Sequence, residues 1–242
     1  MWLVALRVAA VFVLTPLFAF ASIPANVRTL YVVALAAVLT ASLSVKPLAF
    51  QVSLPGLVGA AISELVIGAL LAFGVFTAFA AFQLAGRIMD MQLGFGVASL
   101  IDPSTRTSSP LLGTALNLVA LMAFFAIDGH HMIIRGIAFS LERFSPGAPM
   151  PSIDAAAVIA QFGGMFTYAL AVAAPVVFVV FMVDVAMAVV ARTMPQMNVF
   201  IVSLPLKIIV GLATLLVSLQ YLGPVMAHIF EALFDYWHRL LA

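Results

Sequence analysis

Leu57–Phe82 reads LVGAAISELVIGALLAFGVFTAFAAF, an apolar run holding a single charge, Glu64. A helix needs about 20 such residues to cross a hydrocarbon layer of ~30 Å. Backbone polar groups in that layer must be satisfied internally. The run therefore predicts a membrane helix, and with it the fold class: an all-α integral membrane protein. Of 242 residues, 65% are hydrophobic and 8% charged, against roughly 25% charged in a soluble domain. Further apolar stretches cover about Trp2–Ala21, Leu30–Leu43, Leu111–Ile127, Ala155–Val190 and Val199–Leu222. That makes about six spans by hydropathy, read as helical hairpins in one domain over residues 1–242. Several fit a bilayer poorly. Leu30–Leu43 is short, and Ala155–Val190 is long with Pro175 inside it, where a missing N–H usually kinks a helix.

A net charge of +1 gives no sign of nucleic acid or an acidic substrate. The absence of Cys excludes disulfides, thiolate metal sites and Cys catalysis. The start imitates a signal peptide, with Ala19-Phe20-Ala21 after an apolar core. However, its only positive charge, Arg7, comes late, whereas a secretory n-region puts charge first. A retained first helix is expected. Arg28, Lys46 and Arg106 fall in successive loops, so loop charge does not choose an orientation. SPGAPMPS (Ser145–Ser152) carries three prolines and reads as a loop.

Polar residues inside this apolar chain need reasons. Glu64 is followed by Gly68 and Ala72 at i+4 and i+8, a small-residue ridge that admits a close helix neighbour. It is either a polar contact in an assembly or pore, or a carboxyl satisfied within the chain's own bundle. Gln83, Arg87, Asp90 and Gly94 fall at spacings of four, three and four. They form one polar stripe, in which Arg87 and Asp90 can pair at i,i+3. The stripe is a pathway lining or a solvated helix end. GFGVAS (Gly94–Ser99) lacks the third Gly and the strand–helix setting of a dinucleotide site, and Gly94 and Gly96 more plainly serve the backbone. Asp128-Gly129-His130-His131 contains possible ligands. Adjacent histidines do not share a helix face and no third ligand is evident, so neither metal nor cofactor is expected. Pro195 and Pro205 bracket Gln196 and Asn198, with Lys207 and Gly211 following. This segment is a helix break or a plain connection between spans. At the C-terminus, about residues 225–242, His228, Glu231, Asp235 and Arg239 lie on one side. Phe230, Leu233, Phe234, Trp237 and Leu241 lie on the other. That amphipathic helix is an interfacial tail or a packing surface for a partner.

Taken in order, these stretches resemble the FliR family of flagellar export-apparatus proteins, which has relatives in virulence type III secretion. The likeness is carried by MPQMNVFIVSLPLKIIVGL (Met194–Leu212), LRVAAVFVLTPLFAFASIPANVR (Leu6–Arg28), SELVIGALLAFG (Ser63–Gly74), AGRIMDMQLGFGVASLIDPS (Ala85–Ser104) and DGHHMIIRGIAFSLERFSPG (Asp128–Gly147). It covers nearly the whole chain, and the wording around Pro195 looks flagellar.

The resemblance implies an inner-membrane subunit at the flagellar basal body. There it would join FliP-like and FliQ-like subunits in a pore for unfolded export substrates, beside an FlhB-like switch protein. It also implies that the loop at about residues 100–110 plugs the conduit, with Gly94 and Gly96 as its hinge. Asp102, Pro103, Ser104, Thr105, Arg106, Ser108 and Ser109 would be the plug body. Arg87, His130 and His131 map to no family role. Two rivals follow from the residues alone. One is a secondary transporter using the carboxylates of Glu64, Asp90 or Asp184. The other is a hydrolase using Asp128, His130 and His131. A non-enzymatic gate subunit is the expected answer.

Overall fold

A computed structural model describes residues 1–15, 24–43, 54–95, 110–150, 153–194, 196 and 198–241. Among them are seven helices and no strand. They are α1 (Trp2–Leu14), α2 (Ala25–Ser42), α3 (Leu54–Leu93), α4 (Leu111–Ala126), α5 (Gly129–Arg143), α6 (Ala155–Thr193) and α7 (Val199–Leu241).

The six apolar stretches do not become six spans. Four helices are long and apolar enough to cross a membrane, or five if α4 and α5, bent by 70°, count as one. The count falls because two of the six are short: α4 has 16 residues and reaches span length only together with α5. α1 has only 13 residues, about 20 Å at ~1.5 Å per residue. By contrast, α3, α6 and α7 have 40, 39 and 43 residues. At that rise each is about 60 Å long, roughly twice the hydrocarbon thickness.

The prolines are absorbed. Pro175 lies inside α6, and Pro205 and Pro224 lie inside α7. The break expected over Pro195–Pro205 is thus confined to the interval between Thr193 and Val199, and Pro205 does not end a helix. Neighbouring groups and small local adjustments re-satisfy a freed carbonyl in such apolar helices. The amphipathic C-terminal segment also is no separate tail, because it continues α7 without interruption.

The chain gathers into two compact units. One comprises Met1–Ala78, Phe124–Phe162 and Phe230–Ala242; the other comprises Phe79–Ala123 and Gly163–Ile229. In the first, α1 and α2 pack together, with Phe12 edge-on to Tyr31 at 5.2 Å between ring centroids. The C-terminal turns of α7 bury Phe230, Leu233, Tyr236, Trp237 and Leu241, leaving Glu231, Asp235, His238 and Arg239 exposed. The Tyr236 hydroxyl and the Trp237 indole N–H donate to the carbonyls of Leu70 and Leu71 on α3, both at 3.1 Å. The amphipathic face read as a tail or a partner surface therefore packs on α3 of its own chain. That contact gives both aromatic polar tips a partner, as burial requires.

Burial differs sharply among the long helices. Of the membrane-length window, 61% is buried in α3, but 28% in α6 and 11% in α7. Phe178 and Phe181 on α6, and Ile201, Ile209 and Leu216 on α7, are all more than half exposed. Such faces require lipid or other protein around them.

Candidate functional site: one buried ion pair and the anchorage of residues 96–109

In the first unit, Arg7 is fully buried and Glu64 is 1% exposed. The Arg7 Nε donates to Glu64 Oε2 at 2.7 Å. Its Nη1 donates to the Ser140 carbonyl at 2.7 Å and to Ser140 Oγ at 3.1 Å, and its Nη2 to the Phe144 carbonyl at 3.0 Å. Glu64 Oε1 accepts from the Gly147 N–H at 3.3 Å. One guanidinium thus ties α1 to α3, to the end of α5 and to the following turn. A charge buried among apolar helices needs such complete pairing. Gly68, one turn beyond Glu64, permits the approach: a Cβ there would lie 2.6 Å from the Arg7 carbonyl oxygen and 2.7 Å from the Ala10 Cβ. The close neighbour foreseen beside Gly68 is α1, and Glu64 is partnered inside the chain.

Sequence reading passed over Arg7 as a late positive charge. The signal was present: a lone cation in WLVALRVAAVFVL and the single charge in the run Leu57–Phe82 each need a counter-charge. In two apolar helices the natural one is the other.

In the second unit, Asp90 takes two roles. Its backbone carbonyl accepts the Phe95 N–H at 3.0 Å, while the Met91 carbonyl accepts the Gly94 N–H at 3.2 Å. These are the paired bonds of a Schellman stop. Gly94 supplies the positive φ of 85° that the stop needs. The Asp90 side chain, 6% exposed, accepts the N–H groups of Leu112 at 3.1 and 3.2 Å and of Gly113 at 3.5 Å. Those amides belong to the first turn of α4, where no intrahelical acceptor exists and where the helix dipole favours an anion.

The same residue therefore fixes the departure from α3 and the entry into α4, the two ends between which residues 96–109 run. Gly86 brings the helices together. A Cβ on it would overlap the backbone of Leu112 and Gly113. Hence Asp90 pairs with amides and not with Arg87, which is exposed along with Gln83.

Gly96, Asp102, Pro103, Ser104, Thr105, Arg106, Ser108 and Ser109 lie outside the described residues, as does Pro195. Gln196, Asn198 and Pro205 are exposed. Lys207 forms an ion pair with Asp184 across α7 and α6. Gly211 is buried, and a Cβ on it would overlap the Leu93 side chain of α3.

Asp128, His130 and His131 meet at the α4–α5 bend, each with a ligand atom within 4.8 Å of the others. His130 and His131 lie in the first turn of α5 and Asp128 precedes it as the N-cap residue, so the three meet although the two histidines are adjacent within the helix.

Comparison with known proteins agrees along the length of the chain. The model of the family described as "Bacterial export proteins, family 1" matches residues 1–233. The chain is 34% identical over 244 residues to the flagellar biosynthetic protein FliR of Bacillus subtilis, covering 99% of this chain and 93% of that one. It is 30% identical over 234 residues to the Caulobacter vibrioides protein of the same description, covering 96% and 93%. It is 26% identical over 173 residues to Yop proteins translocation protein T of Yersinia pestis, covering 70% and 65%.

Proposed function

The chain belongs to the bacterial export proteins of family 1 and, as a FliR homologue, is a non-enzymatic component of the flagellar or type III export apparatus in the bacterial inner membrane; within that apparatus we propose that it completes the export pore and helps to seal it. Its neighbours in this reading are FliP-like and FliQ-like subunits, with an FlhB-like switch protein beside them, and its cargo is unfolded flagellar protein. The exposed apolar faces of α6 and α7 are the surfaces that lipid and such neighbours would cover.

The observation that carries the sealing role is the anchorage at Asp90. A segment that blocks a conduit must stay tethered at both ends. Here a single buried carboxylate, a Schellman stop and a glycine contact hold the two ends. Between them runs GVASLIDPSTRTSS, rich in small and polar residues and without the apolar content for a core of its own.

The test is deletion of Ser104–Ser109 in cells carrying the whole apparatus. The deletion should leave the subunit in the complex and make the membrane leaky to small ions. A membrane as tight as that of the parent would refute the sealing role.

The transporter reading requires free intramembrane carboxylates. Glu64 is bound by Arg7 and Gly147, Asp90 by backbone amides, and Asp184 by Lys207. None of the three stands ready to load an ion.

A further inference from the structure

We propose that Asp128, His130 and His131 form a binding site for a late first-row divalent metal ion, of which Zn2+ is the reference, at the bend between α4 and α5. The export function makes no use of this cluster, and the inference stands independently of it.

Three observations converge. First, each of the three side chains brings a ligand atom within 4.8 Å of the others. The His131 Nδ1 and Asp128 Oδ1 are 3.2 Å apart. With metal–nitrogen and metal–oxygen bonds of about 2.1 Å, tetrahedral ligand atoms stand about 3.4 Å apart, so this pair is already set at nearly the right bite. The metal would take the place of the bridging proton, which leaves to water. Second, His130 Nδ1 is buried and has no hydrogen-bond partner among the described residues. A buried ring nitrogen without a partner calls for an absent water or ion. The His130 ring lies 4.1 Å from that of His131, centroid to centroid, and one of its ring nitrogens is within 4.8 Å of the other two ligand atoms. Third, Asp128 holds the left-handed conformation, φ 58°, and is the one non-glycine residue with positive φ among those described. That backbone choice turns the carboxylate back over the first turn of α5, where the Asp128 carbonyl also accepts the His131 and Met132 N–H groups.

Two imidazoles and a carboxylate are the donor set of Zn2+, Ni2+, Co2+ and Cu2+, not of Mg2+ or Ca2+. Asp128 and His131 are exposed, so an ion has direct access and a fourth position stays open to water. Bound there, the ion would fasten the N-cap residue to the first turn of α5.

Co2+ reports the site directly. The full chain, purified in detergent with an affinity tag free of histidine, is titrated with Co2+ and then with Zn2+. The expected result is one Co2+ per chain with visible absorption bands of a low-coordinate nitrogen–oxygen site, displaced by Zn2+. Binding should weaken about tenfold or more in His131→Gln, in His130→Gln and in Asp128→Asn, and stay unchanged in His238→Gln. Each variant's unfolding temperature without metal identifies any that fails to fold, and the other variants then decide the matter. Absence of bands in a large excess of Co2+ would overturn the proposal. So would binding that survives all three substitutions.

Discussion

Arg7→Met should destabilise the isolated protein by about 3–5 kcal/mol, the usual cost of leaving one member of a buried ion pair without its partner. The expectation follows from burial and from the number of bonds lost together. Arg7 is fully enclosed, and its guanidinium holds Glu64, the Ser140 carbonyl and hydroxyl, and the Phe144 carbonyl. Methionine fills much of the space but leaves the Glu64 carboxylate facing apolar neighbours with only the Gly147 amide. The loss is a large share of the ~5–15 kcal/mol that holds an ordinary domain folded. Thermal unfolding in detergent and the amount of chain retained in the membrane both report it.

The double substitution Arg7→Met with Glu64→Leu removes the stranded charge and should recover most of the loss. About 1–3 kcal/mol would remain for the abandoned carbonyls and the Gly147 N–H. Glu64→Gln separates two roles for the carboxylate. An internal role lowers the unfolding temperature of the chain alone, whereas a contact with another subunit weakens the complex and spares the chain. An Arg7→Met protein that unfolds at the parent's temperature would contradict the network.

The second large effect belongs to Gly86. Gly86→Leu should cost about 3 kcal/mol, at the upper end of overpacking penalties. The atoms it would meet are backbone atoms of Leu112 and Gly113, which cannot rotate aside as a side chain can. The two helices must separate, and the Asp90 carboxylate then loses its hold on the first turn of α4. Asp90→Asn is the milder version. It keeps the shape but removes the charge that the helix N-terminus favours, a loss of about 1 kcal/mol. Hydrogen exchange at the Leu112 and Gly113 amides should quicken in both variants, more in Gly86→Leu. Unchanged exchange in both would mean that the anchorage is held by something else.

Hydropathy carried the fold class and the place of most helices, because an apolar run in a chain with so few charges has only one stable form in lipid. It gave α6 nearly its full length but stopped short on α3 and α7. α6 runs through Pro175, and α7 through Pro205 and Pro224, since a proline in an apolar helix bends it without always ending it. The partners of the polar residues were hardest to read, because they are set by distant contacts. Spacing offered Arg87 to Asp90, three residues away, whereas the fold brings amides from 22 and 23 residues on. Nothing in a local window joins Arg7 to Glu64, which are 57 residues apart. The amphipathic pattern at the C-terminus was plain, but what covers its apolar face is set by α3, far back in the chain. The meeting of Asp128, His130 and His131 depends on one left-handed residue at a bend, a choice that sequence periodicity does not encode.

The chain's place in an export gate is the central claim. Co-expression with FliP-like and FliQ-like subunits, gentle detergent extraction and native mass spectrometry of the purified material address it in one step. A discrete complex of fixed mass containing this chain and both partners is the expected result. A stable monomer or homodimer that leaves those partners behind would contradict the account.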